Sequence, residues 1–142
     1  ASWEAMAMMS KMTLRPYVYV VKNPKVYDGD SFTCDLNLGL FMEKKKVKVR
    51  LMGVDTPEKG FRAKSAREKQ LALEAKALIV DLLNNAEQVL LYSENGTGKY
   101  GRLLSTVIAV QKDGSHLSAA EELIKHNLAR PYFGGTKSKE PW

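Results

Sequence analysis

Residues 17–51, YVYVVKNPKVYDGDSFTCDLNLGLFMEKKKVKVRL, decide the fold class. Tyr17 to Val21 is a β-branched and aromatic run, and the apolar signal resumes at Val26-Tyr27 after Asn23-Pro24. The Asp28-Gly29-Asp30 turn interrupts it, Ser31 to Leu36 alternates with period two, and Val47 to Leu51 alternates again. Period two sends successive side chains to opposite faces, so these runs read as half-buried strands too short to be helices. Asn37-Leu38-Gly39 and the lysines that follow read as a long hairpin connection, with Lys44, Lys45, Lys46 and Lys48 as a solvated tip. Three strands joined by turns make a meander.

Downstream the period changes. Pro57 pushes the residue before it out of helical space, and from about Ala63 to Leu83 a helix is expected. Leu71, Ala75, Leu78, Ile79 and Leu82 fall on one face, and Lys64, Arg67, Glu68, Lys69 and Glu74 on the remainder. Asn84-Asn85 suits a left-handed cap. Val89 to Tyr92 is a fourth strand and Leu103 to Val110 a fifth, separated by a turn rich in Asn, Gly and Thr. Ser118 followed by Glu121 fits a capping box opening a short helix that ends near Asn127. The pattern predicts a mainly β fold with helices: a five-stranded OB-fold-like barrel, one long helix after strand three and a short C-terminal helix. Residues 1–12 are expected to be a disordered segment or an expression remnant. A single domain then fills 13–142, with a partly mobile tail from about 134.

The chain has 142 residues, 44% of them hydrophobic, which suits one compact core. A net charge of +6 and a pI near 9.4 favour a polyanionic partner. Cys34 is the only cysteine, which excludes an internal disulfide and a cysteine-rich metal site; it reads as a strand residue that fills space. No apolar run reaches membrane-spanning length, so no membrane partner is expected. No signal peptide is visible, so the expectation is either a cytoplasmic protein or a secreted one whose signal has been removed.

Charged groups gather where loops meet strands: Asp28-Gly29-Asp30, Arg50 through Glu58, and Lys99-Tyr100-Gly101-Arg102. Singly, each has a plain explanation, such as a tight turn for Asp28 and Asp30 or an outward strand position for Arg50. Gly96 to Lys99 lacks Walker spacing and precedes a strand. His126 suits a helix C-terminus better than a metal.

Together the motifs VYDGDS, VRLMGVDTPE and GKYGRLL, in that order, resemble the staphylococcal nuclease family over nearly all of residues 17–133. The resemblance implies a nuclease that hydrolyses DNA, and RNA as well, leaving a 3′-phosphate and a 5′-hydroxyl. Asp30 and Asp55 would supply carboxylates to Ca2+, which takes oxygen ligands in irregular geometry. The Thr56 carbonyl would complete the protein's share of that shell, and Asp28 would act behind it or through water. Glu58 matches the position assigned as general base or water-orienting group. Arg50 and Arg102 match the two arginines that clamp the phosphate with planar, permanently charged forks. Lys99 and Tyr100 would touch the terminal or scissile phosphate, and Tyr132 would stack on a base.

The chain departs from the family pattern in three places. The Asp35–Val47 connection is longer, as in phage and bacterial short forms; Ser31 replaces the usual threonine; and the chain ends soon after Tyr132, without a long C-terminal helix. The rival reading is a catalytically silent nucleic-acid- or protein-binding module on the same barrel. Silent copies typically lose carboxylates or arginines, and here all are present.

Overall fold

The computed structural model describes residues 17–93 and 97–142, the side chain of Lys99 excepted; the expected N-terminal segment, 1–12, lies outside the described residues. Strands β1 (Val18–Asp28), β2 (Ser31–Gly39) and β3 (Met42–Leu51) form the meander. β1 is one strand rather than two pieces. Asn23, at φ +52, lies where the register with β2 shifts between Lys22 and Lys25, so a bulge absorbs the Asn-Pro interruption.

The connection expected from Asn37 through the lysines is itself strand. Leu36 pairs with Lys44, Asn37 with Glu43 and Gly39 with Met42, and only Leu40 and Phe41 turn the corner. Alternation vanishes there because Met42 to Lys46 are all exposed, and a ladder needs only backbone groups. The lysines therefore flank an apolar tip instead of forming one.

β4 (Val54–Asp55) is a two-residue segment that leads, through a 3₁₀ turn at Gly60–Arg62, into α1 (Ala66–Asn85). Ser65 caps α1 by accepting from the Glu68 amide at 3.0 Å. Ala75 and Ile79 are buried and Leu71, Leu78 and Leu82 pack partly against the core, whereas Glu68, expected on the polar face, is buried too. The asparagines do not cap in left-handed geometry: the helix runs through Asn85 and Ala86 leaves it extended.

β5 (Gln88–Tyr92) pairs antiparallel with β1, and β6 (Leu103–Val110) with β5. β6 also pairs parallel with β3, Val49 to Leu51 against Leu103 to Ser105. That seam closes five strands into a barrel around Phe32, Leu36, Val49, Leu51, Leu91 and Val107. β7 (His116–Ser118) extends the β6 edge, and α2 (Ala119–Lys125) follows, capped by Ser118 as the sequence predicts. β8 (Arg130–Pro131) returns to pair with β4. Asp55 is thereby clamped between the barrel and the chain's last segment.

Cys34 is buried, and desolvation, helped by the neighbouring Asp35 charge, pushes its thiol up to about 12. It is a space-filling residue of β2.

Candidate active site

The three charged segments converge. A cleft of about 560 Å³ is lined by Asp28, Asp30, Arg50, Thr56, Glu58, Tyr100, Arg102 and Tyr132 among others, and an adjoining one of about 310 Å³ by Asp55, Thr56, Glu58 and the C-terminal segment. The turn that carries Asp28 and Asp30 is pressed onto α1. A Cβ on Gly29 would lie 2.7 Å from the Ala75 methyl, so only glycine permits this approach.

Arg50 is held from behind. Its guanidinium donates to the Leu51 carbonyl at 2.6 Å and the Val54 carbonyl at 2.8 Å, and sits 3.4 Å from an Asp30 oxygen. Both side chains are under 15% exposed, so water screens the pair little. Asp28 pairs with Lys59 at 3.3 Å, while the Lys59 ammonium lies 3.6 Å from the centre of the Tyr27 ring.

Asp55 has an oxygen 3.2 Å from the Lys137 ammonium. Thr56 is buried beside it. Glu58 is placed through its backbone: its amide donates to one oxygen of buried Glu68 at 2.8 Å, and the Lys64 amide donates to the other at 2.9 Å. Glu68 thus holds both ends of the loop that carries Glu58. The Glu58 carboxyl itself is raised above the ordinary glutamate range. Burial is the main cause; Asp30 and Asp55 add to it, and Lys137 and Arg62 oppose it.

Arg102 enters the same cleft from the loop before β6, the strand that pairs with β3 beside Arg50. Its Nε is buried without a hydrogen-bond partner among the described residues, and its guanidinium carbon lies 5.6 Å from the Tyr100 ring centre. Tyr100 adopts φ +63 and is exposed at the rim. Tyr132 is half-buried; its amide donates to the Gly53 carbonyl and its hydroxyl to the Gly135 carbonyl at 2.8 Å. The exposed aromatic beside it is Phe133, whose ring would contact a Cβ on Gly53.

Residues 48–141 match the staphylococcal nuclease homologue family, well over half of the chain. The chain belongs to the staphylococcal nuclease family. It is also similar to an uncharacterized protein of Methanocaldococcus jannaschii, 28% identical over 148 residues that cover 86% of this chain and 63% of the relative. The chain thus spans less than two thirds of that relative's length.

The span shared with the staphylococcal nuclease family holds Arg50, Asp55, Thr56, Glu58, Lys99, Tyr100, Arg102 and Tyr132, while Asp28 and Asp30 precede it. Sequence reasoning missed Glu68, Lys137 and Phe133. Ser65-x-x-Glu68 before a helical run was a legible signal for the first; nothing marked Lys137 among the tail's polar residues.

Among the described residues no three His, Cys, Asp or Glu side chains cluster as a metal cage. Asp30 and Asp55, both shielded, line the two adjoining clefts, the first beside Arg50 and the second beside Lys137. As donors they are hard oxygens, of the kind calcium takes and zinc or a soft metal does not prefer.

Proposed function

We propose that this chain is a calcium-dependent nuclease that hydrolyses phosphodiesters of DNA and RNA by attack of water at phosphorus. The observation that carries this reading is the convergence on one cleft of Arg50, Arg102 and a carboxyl group, Glu58, pushed toward neutrality. A phosphodiester resists water because it is anionic and its leaving alkoxide is poor. Two planar cations lining one cleft answer the first difficulty, since each can hold a phosphoryl oxygen and stabilise charge that builds there. Arg50 still has donors free after its two carbonyl contacts, and Arg102 has a buried N–H with none of its own.

Glu58 is the proton acceptor. Its raised affinity for protons brings it closer to the working pH, where a base is most effective. Glu68 fixes the backbone from which it reaches, and the rigid Pro57 precedes it. Asp30, Asp55 and the Thr56 carbonyl would hold the calcium, with Asp28 behind them; when bound, it supplies Lewis-acid stabilisation of phosphoryl charge. Lys99 and Tyr100 would contact the terminal or scissile phosphate. Tyr132 supports the wall from which bases would be met.

Digestion of end-labelled single- and double-stranded DNA and RNA tests this, with calcium, magnesium or chelator. Cleavage with calcium far above that with magnesium is expected, because magnesium demands octahedral rigour. Full activity in chelator would sink the calcium mechanism, and binding without cleavage under any metal would leave a binding module on this barrel.

A further inference from the structure

The far end of the β2–β3 hairpin breaks two rules at once. The two-residue turn Leu40-Phe41 has φ +55 and +63, left-handed at both positions, with Gly39 at +81 before it. A tight hairpin with positive φ at both central residues is cheapest with Asn-Gly; bulky side chains there are strained. Solvation argues against them as well. Leu40 is 90% and Phe41 108% exposed, and Leu38 and Met42 beside them are exposed too. A strained turn that also presents four apolar side chains to water has no explanation within the fold. Strain of this kind clusters at sites of contact and switching, which points to a role for the tip outside the fold.

The surroundings say what that role is. Asp35 and Glu43, the acids nearest the tip, are both paired with Lys45 at 3.5 and 3.0 Å, and Glu43 also with Lys22. Lys44 and Lys46 are exposed, with no carboxylate within 4 Å among the described residues. The tip is therefore an apolar knob above a cationic collar. A second copy would bury only four side chains per partner, short of the roughly 1,200 Å² that stable interfaces need. Two leucines, a methionine and a phenylalanine arrayed around a turn make an apolar knob, and none of the four carries a polar side chain with which to read a base edge. A fluid interface of acyl chains beneath anionic headgroups accepts both the knob and the collar.

We infer that the β2–β3 hairpin tip docks this protein on anionic lipid surfaces, with Leu38, Leu40, Phe41 and Met42 entering the interface and Lys44 and Lys46 meeting headgroup phosphates. No described helix is long and apolar enough to cross a membrane, and docking needs none. The expectation of no membrane partner rested on spanning length, which a surface knob does not require. The hairpin runs from the Ser31–Arg50 pair to the Gly39–Met42 pair, roughly 27 Å at about 3.4 Å per residue. Docking by the tip thus holds the cleft away from the surface and open to polymer.

The test is flotation of the full chain, in chelator at low salt, with vesicles of phosphatidylglycerol and phosphatidylcholine or of phosphatidylcholine alone. Binding to the anionic vesicles at least tenfold tighter is expected, falling with added salt. Leu40→Asn with Phe41→Gly should reduce that binding tenfold or more while the melting temperature holds or rises, because Asn-Gly suits the turn. If the double variant melts lower, Phe41→Ser alone is read the same way. Lys44→Gln with Lys46→Gln should weaken the anionic preference. The proposal is overturned if the chain ignores anionic vesicles or if the turn variants bind them undiminished. It is equally overturned if the variants lose DNA affinity or a sedimentation dimer instead. Cleavage assays on free DNA report separately on the nuclease reading, so the two can fail independently.

Discussion

The two arginines of the cleft are held in opposite ways. Arg50 belongs to the barrel: it leaves β3, donates to two backbone carbonyls and leans on Asp30. Arg102 enters from a loop, with a buried N–H that the described protein leaves unanswered. The first spends much of its hydrogen-bonding capacity on holding itself together, and the second keeps its capacity for a ligand. On the proposed reading Arg50 serves both the fold and the substrate, whereas Arg102 serves the substrate alone.

The sharpest way to break this contrast is substitution by lysine on each side. Arg102→Lys keeps charge and loses the fork, so single-turnover cleavage should fall on the order of 10²–10³, about 3–4 kcal/mol of transition-state stabilisation. Its melting temperature should stay near the parent's. Arg50→Lys should lose a comparable rate and, in addition, leave buried carbonyls of Leu51 or Val54 short of a donor. That costs about 1–3 kcal/mol of stability, or roughly 4–12 °C in a melting curve at about 4 °C per kcal/mol. Equal melting temperatures for the two variants would erase the distinction.

Lys137 refines it further. Its ammonium occupies the Asp55 carboxylate, so any divalent cation there meets a tethered competitor. Lys137→Met should tighten calcium binding about two- to fivefold in calorimetry without substrate, since a partly exposed pair is worth about 0.5–1 kcal/mol. Weaker binding in the variant would instead assign the lysine a supporting part.

The smallest effect concerns Glu58. Its folded pKa is raised, so the native state favours its protonated form. Stability is unaffected below the ordinary glutamate range and declines as pH rises through it toward the raised value. In chelator, Glu58→Gln should therefore match the parent in acid and melt slightly higher at neutral pH. A variant that melts lower at neutral pH would contradict the burial assigned to this carboxyl.

Much of this was legible in the chain. Period-two runs located the strands because one face of each is buried, and Ser118 announced its helix through a cap that depends on one hydroxyl. The legible signal ended where burial did. From Met42 to Lys46 the strand lies in water on both faces, so its side chains carry no pattern and the segment reads as loop. Glu68 misled for the opposite reason: its place on the helix surface is polar by sequence, yet a loop folds over it and uses its two oxygens. The charged segments were visible as clusters. The carbonyls that restrain Arg50, and the tail that brings Lys137 to Asp55, depend on contacts between segments far apart in the chain.

The parallel seam between β3 and β6 also sets an order in time. Val49 and Leu103 are neighbours in space but belong to opposite halves of the chain. The first hairpins can form locally and early, whereas the ring must wait for β6, and pairings across so long a loop are slow to nucleate. A growing chain that has emerged only as far as α1 already carries Asp30, Arg50 and Glu58, yet lacks the strand that shuts the barrel. The cleft is therefore incomplete until the second half arrives, and a ribosome that stalls before Leu103 releases an open sheet whose β3 edge is free to pair with other chains.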